Sequence, residues 1–183
     1  MERATILSGF GGQGILFAGQ VLAQAGLFED RYVSWLPSYG PEMRGGTASC
    51  TVIVADRPIG SPVVDTADLV IALNPPSLAK FEPLLAAGGL LVLNDSLIEA
   101  EPARRDIEVL RISCSAIARD VGDERVISIV ALGGAIARRP VVAPESIRRA
   151  LVELTHRGGP ELLEMNLRAL TAGFERGAAV PAA

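Results

Sequence analysis

The sequence predicts one α/β domain, Rossmann-like in outline: a mostly parallel sheet flanked by helices, with further helices at the C-terminal end. Three observations carry this. Short β-rich runs alternate with helical stretches through the first 112 residues. Several of those runs, such as DLVIAL (68–73) and GGLLVLN (88–94), are apolar throughout, as in strands covered on both faces. A chain of 183 residues with 49% apolar composition also suffices for one core without covalent staples.

Each element follows in order. ATILS (4–8) reads as a buried first strand and residues 15–27 as the first helix. YVSWL (32–36) is a second strand, ended by Pro37, and the β-branched TASCTVIVA (47–55) a third, followed by a turn at DRPIG. DLVIAL runs into Asn-Pro-Pro, whose prolines suit the first turn of a helix through 77–87. GGLLVLN and IEVLRI (107–112) complete the strands.

After residue 113 the texture turns helical. SAIARDVG ends at Gly122. VISIVALGGAIAR (126–138) is apolar nearly all round, so it packs against the sheet or against another chain. APESIRRALVELTH (143–156) keeps apolar residues at 147, 151 and 154, and the amphipathic PELLEMNLRALTAGFERG closes at Gly177. The domain thus covers residues 1–176, with 177–183 a frayed tail.

Composition narrows the function classes. Seventeen basic against 21 acidic residues, a net charge of −4 and 4% aromatics disfavour nucleic acid as a partner. Two cysteines, Cys50 and Cys114, are too few for an iron–sulfur cluster or a Cys-rich zinc site, and read as buried thiols in a reducing compartment. His156 is the single histidine, so no metal site is expected. Residues 4–28 carry no charge, but six glycines interrupt them, which excludes a spanning helix and points to a cytoplasmic chain without membrane contact.

The chemistry concentrates in two motifs. GFGGQG (9–14) matches G-x-G-x-x-G between a strand and a helix, where free amides and the positive helix end suit a phosphate. NAD binding needs, in addition, an acidic residue at the end of the second strand for the ribose. That strand ends SWLPSYGP; Glu29 and Asp30 precede it and Glu42 lies well beyond. No GK[ST] follows the glycines, so P-loop chemistry fails, and Gln13 brings an amide where a lysine would stand. The second motif, PSYGPEMRGG (37–46), is a rigid, multiply turned loop at the carboxyl end of the second strand. Arg44, beside two glycines, suits an anion or a partner carboxylate, while Glu42 reads as a surface charge without an acid–base partner. No catalytic residue is assigned.

GFGGQGI, PSYGPEMRGG and VALGG in this order, over residues 4 to about 176, resemble the gamma subunit of 2-oxoacid:ferredoxin oxidoreductases, with YGPE-x-RGG nearest the 2-oxoglutarate type. Asn166, Ala169 and Gly173 resemble the pattern of that family's closing helix. Ser128-Ile129 departs from the Asn-Met pair frequent there. The resemblance implies a subunit, inactive alone, of a complex converting a 2-oxoacid, coenzyme A and oxidised ferredoxin to acyl-CoA, carbon dioxide and reduced ferredoxin. It places thiamine diphosphate, magnesium and iron–sulfur clusters on alpha, beta and delta partners, and leaves this chain a role in assembly and coenzyme A binding. Gly9, Gly11, Gly12, Gln13 and Gly14 then face the coenzyme's phosphates, with Arg44 on phosphate or a partner. A large apolar partner surface involving 126–137, and a homodimer of the isolated chain, are further expectations. The 2-oxoacid stays open among 2-oxoglutarate, pyruvate, branched-chain and indolepyruvate types. A free-standing NAD(P)-binding oxidoreductase and a purely structural module remain alternatives.

Overall fold

The computed structural model describes residues 1–39 and 46–179. One six-stranded sheet has the order β2-β3-β1-β4-β5-β6, built from β1 (Glu2–Phe10), β2 (Tyr32–Tyr39), β3 (Thr47–Ala55), β4 (Ala67–Ala72), β5 (Leu85–Asn94) and β6 (Glu108–Ile112). β1, β4, β5 and β6 are parallel neighbours, and β3 alone runs against them, paired antiparallel to both β1 and β2. β2 and β3 therefore form a hairpin, and the second strand in sequence lies one place removed from the first.

The apolar runs are explained by the two covered faces. Leu69, Ile71 and Leu73 of the β4 run, with Leu90 and Val92 of β5, bury toward one cluster; Val70, Ala72, Leu91 and Leu93 bury toward the other. A period of two is present, but both phases are apolar. Each leucine, isoleucine or valine among them contributes about 1.5–3 kcal/mol of burial. The layers are unequal. The first face carries α1 (Ile15–Leu27), α3 (Cys114–Val121), α4 (Ile127–Arg138), α5 (Pro144–Thr155) and α6 (Pro160–Ala179). The second is covered by the short α2 (Pro75–Phe81) and by Ile59, Val64 and Ile98 from connecting segments.

Four expectations are corrected by these elements. β2 does not stop before Pro37 but continues to Tyr39, because it is an edge strand with one side unpaired, where a missing N–H is tolerated. The helix expected through 77–87 is α2, capped by Asn74, whose Oδ1 accepts the Ser77 N–H at 2.9 Å. It ends at Phe81, since Pro83 cannot continue it; a 3-10 turn follows and Leu85 already begins β5. α4 offers no surface at 127–136: each of those residues is buried within this chain, between the sheet and α6.

α6 runs past Gly177 to Ala179, because that glycine serves packing instead of termination. A Cβ on Gly177 would lie 2.7 Å from the Gly134 α-carbon, so the α4 and α6 backbones touch there. Asn166 and Ala169 lie on the same buried side of α6, Asn166 donating from Nδ2 to the Leu162 carbonyl at 2.8 Å. Among the described residues no helix is long and apolar enough to cross a membrane.

Candidate functional site

β1 ends at Phe10, and Gly11-Gly12-Gln13-Gly14 turns the chain into α1. Gly12 and Gly14 adopt φ of +93° and +76°, the left-handed region that favours glycine. Gly14 is the N-cap of α1, so no side chain caps the helix, and its first turn holds no acidic residue. The helix N-terminus is left with bare amides and its positive dipole end. The loop also has a closed and an open side. A Cβ on Gly14 would stand 2.5 Å from the Arg125 carbonyl oxygen and 2.8 Å from Ser128 Oγ, whereas one on Gly12 would meet nothing within 4 Å.

The open side faces a cleft of 510 Å³ at the carboxyl edge of the sheet. Gly11, Gly12 and Gln13 form one wall; Arg119 at the end of α3, with Glu124 and Arg125 from the 3-10 turn before α4, forms another. Arg119 donates from Nε to the Ser115 carbonyl at 3.3 Å, and among the described residues no carboxylate lies within 4 Å of it. Arg125 donates from Nε to Asp123 Oδ2 at 2.8 Å, which holds the Asp123 carboxyl below the usual range and raises the guanidinium in turn. The cleft thus sets the bare amides of the helix start opposite two guanidiniums, one of them paired with Asp123, and the Glu124 carboxylate. Beneath it, Asn94 bridges β5 to α3: its Nδ2 donates to Ser115 Oγ at 2.9 Å and its Oδ1 accepts the Ser115 N–H at 3.2 Å.

Of the residues singled out in the sequence, Gly11, Gly12 and Gln13 line the cleft. Gly14 is not in its lining but packs against the Arg125 carbonyl and Ser128, and Gly9 lies within β1, where a Cβ would meet Gln13 Oε1 at 2.5 Å and Leu73 Cβ at 3.0 Å. Arg44 and Glu42 lie outside the described residues. The described residues that follow them lie beside the loop: the Gly11 N–H donates to the Gly46 carbonyl at 3.1 Å, and Thr47 pairs with Phe10. Arg119 and Arg125 are the residues that sequence reasoning missed. They stand more than 100 positions after the loop, and nothing in SAIARDVGDERV marks them.

The topology explains why the glycine fingerprint lacks its acidic companion. The strands beside β1 are β3, which starts at this edge with Thr47-Ala48, and β4, followed here by Leu73 and Asn74. Among the described residues neither brings a carboxylate to where a ribose diol would lie. The cysteines stand apart from this chemistry. Burial pushes the Cys50 thiol up to about 12, against a smaller opposing effect of Trp35, and burial raises the Cys114 thiol as well. Both are buried, the opposite of the exposed, electropositive setting that favours a thiolate.

Comparison with known proteins agrees with this architecture. Residues 4–176 match the pyruvate ferredoxin/flavodoxin oxidoreductase family. The ketoisovalerate oxidoreductase subunit VorA of Methanothermobacter thermautotrophicus is 40% identical over 92% of this chain, which spans only 35% of that relative's length. The 2-oxoglutarate synthase subunit KorC of Methanocaldococcus jannaschii is 30% identical over 96% of this chain and 94% of its own. The crystal structure of a keto/oxoacid ferredoxin oxidoreductase gamma subunit from Geobacter sulfurreducens superposes with a TM-score of 0.86, at 30% identity and 98% coverage of both chains. The module thus occurs both as a separate subunit and as about a third of a longer polypeptide, and the present chain belongs to the pyruvate ferredoxin/flavodoxin oxidoreductase family.

Proposed function

We propose that this chain is the gamma subunit of a thiamine-diphosphate-dependent 2-oxoacid:ferredoxin oxidoreductase, and that its glycine loop binds the diphosphate of coenzyme A. The observation that carries the reading is the uncapped start of α1, opening through Gly12 onto a cleft with Arg119 on its far side. A diphosphate accepts from the amides while the guanidinium balances its charge. The missing ribose carboxylate fits a nucleotide whose ribose is phosphorylated better than one with a free diol. The gamma chain holds the acyl acceptor, and alpha, beta and delta chains carry thiamine diphosphate, magnesium and the iron–sulfur clusters; thiamine diphosphate supplies the decarboxylation chemistry when bound there. The 2-oxoacid would be recognised on those partners, and activity would require co-assembly in the cytoplasm. The pairing of two relatives' names with 2-oxoglutarate and ketoisovalerate supports a 2-oxoacid substrate without choosing one.

Isothermal titration of coenzyme A into the assembled complex tests this. Gly12→Asp puts a carboxylate at the positive helix end and should weaken binding at least tenfold, about 1.4 kcal/mol. Unchanged affinity would remove the loop from the site.

A further inference from the structure

Gln13 is the single polar side chain of the glycine loop, and its two amide atoms have different surroundings. Oε1 accepts the Phe10 N–H at 2.7 Å, and the Gln13 N–H donates to the Phe10 carbonyl at 3.2 Å. Backbone and side chain both return to one residue, and Gln13 is only 8% exposed. The amide oxygen is therefore committed to closing the loop. Nε2 is different: it has no hydrogen-bond partner among the described residues, although Gln13 lines the cleft. A flip of the amide would break the bond from Phe10 and set N–H against N–H. The Phe10 bond therefore fixes which amide atom the loop uses and leaves the NH2 group without a protein partner, on a side chain that lines the cleft.

From this we infer that Gln13 is a specificity-determining residue: it offers a neutral, donor-only group to a phosphoryl oxygen and rejects ligand groups that present a hydrogen at that point. The inference rests on the loop being the phosphate site, and it divides the amide between two tasks, Oε1 for the loop and Nε2 for the ligand. The discriminating substitution is Gln13→Glu. It keeps an oxygen for the Phe10 N–H and replaces the donor with a second acceptor, so a residue that only braces the loop would tolerate it.

The experiment measures coenzyme A affinity of the assembled complex by titration, with the thermal midpoint as a check on folding. Gln13→Glu should weaken binding at least tenfold at an unchanged midpoint, and Gln13→Met should lower both. Affinity of Gln13→Glu within twofold of wild type, while Gly12→Asp abolishes binding, overturns the inference and leaves the phosphate site standing. Indifference to both substitutions overturns the phosphate site itself. A second measurement needs no variant. In the assembled complex carrying an isotope-labelled wild-type copy of this chain and titrated with coenzyme A, the side-chain amide resonances of Gln13 should shift together with the backbone amide of Gly12. Movement of Gly12 without Gln13 rejects the role of Nε2; movement of neither rejects the loop as the site.

Discussion

Gly173 of α6 lies against the main chain of Val130 in α4, so closely that a Cβ there would fall 2.7 Å from the Val130 carbonyl carbon. Backbone contacts backbone, with no side chain able to yield. Gly173→Ala should therefore cost about 1–3 kcal/mol by overpacking. In a domain of this size that lowers the thermal midpoint by ~2–4 °C per kcal/mol, readable by calorimetry. A midpoint equal to wild type would show that α6 can slide away from α4.

The two left-handed glycines of the loop should respond differently to alanine. Gly12→Ala meets open space and bears only the backbone penalty, about 1–2 kcal/mol. Gly14→Ala bears the same penalty and drives a methyl into the Arg125 carbonyl and Ser128 Oγ, adding about 1–3 kcal/mol. Urea denaturation of the two variants side by side checks the order; equal losses would mean that the start of α4 gives way.

Asn94 and Ser115 exchange two hydrogen bonds at the floor of the cleft, both residues buried. Asn94→Ala strands the Ser115 hydroxyl and N–H at the start of α3, a loss of about 1–3 kcal/mol. Because α3 carries Arg119, coenzyme A affinity should fall with stability in this variant, whereas Gly173→Ala should lower stability alone.

Thiol labelling tests the cysteine assignment. With Cys50 raised to about 12 by burial and Cys114 raised likewise, both stay protonated and enclosed at pH 8. Iodoacetamide should modify neither in the folded chain and both in urea. Rapid labelling of the native protein would contradict this core.

The Asp123–Arg125 pair sets a pH dependence of known sign. The hydrogen bond from Arg125 depresses Asp123 in the folded chain, so its contribution is present above the ordinary aspartate range and disappears as pH falls through the depressed folded value. The pair is solvent-exposed and its effect is small. The stability difference between wild type and Asp123→Asn should shrink on acidification and be constant above pH 6. A difference that grows toward acid would reverse the assignment.

The legible parts of this sequence are those governed by local rules. Glycine spacing gave the strand-to-helix turn at 9–14, and unbroken apolar runs gave β4 and β5 their two buried faces. Errors arose where a residue has two uses. Gly177 reads as a helix stop, but it admits the α4 backbone, and Pro37 reads as a strand end, but β2 is an edge. The cleft's arginines were hidden for a related reason. Arg119 and Arg125 look like ordinary surface cations until folding carries them to a loop over a hundred residues away.

The place of β1 in the sheet has a consequence for the nascent chain. β1 is an interior strand made before both of its neighbours, of which the earlier ends at Ala55 and the later at Ala72. The apolar ATIL segment therefore leaves the ribosome long before any edge exists to receive it, and waits unpaired through the synthesis of both. During that interval those few residues are the stretch of β1 most open to a wrong partner.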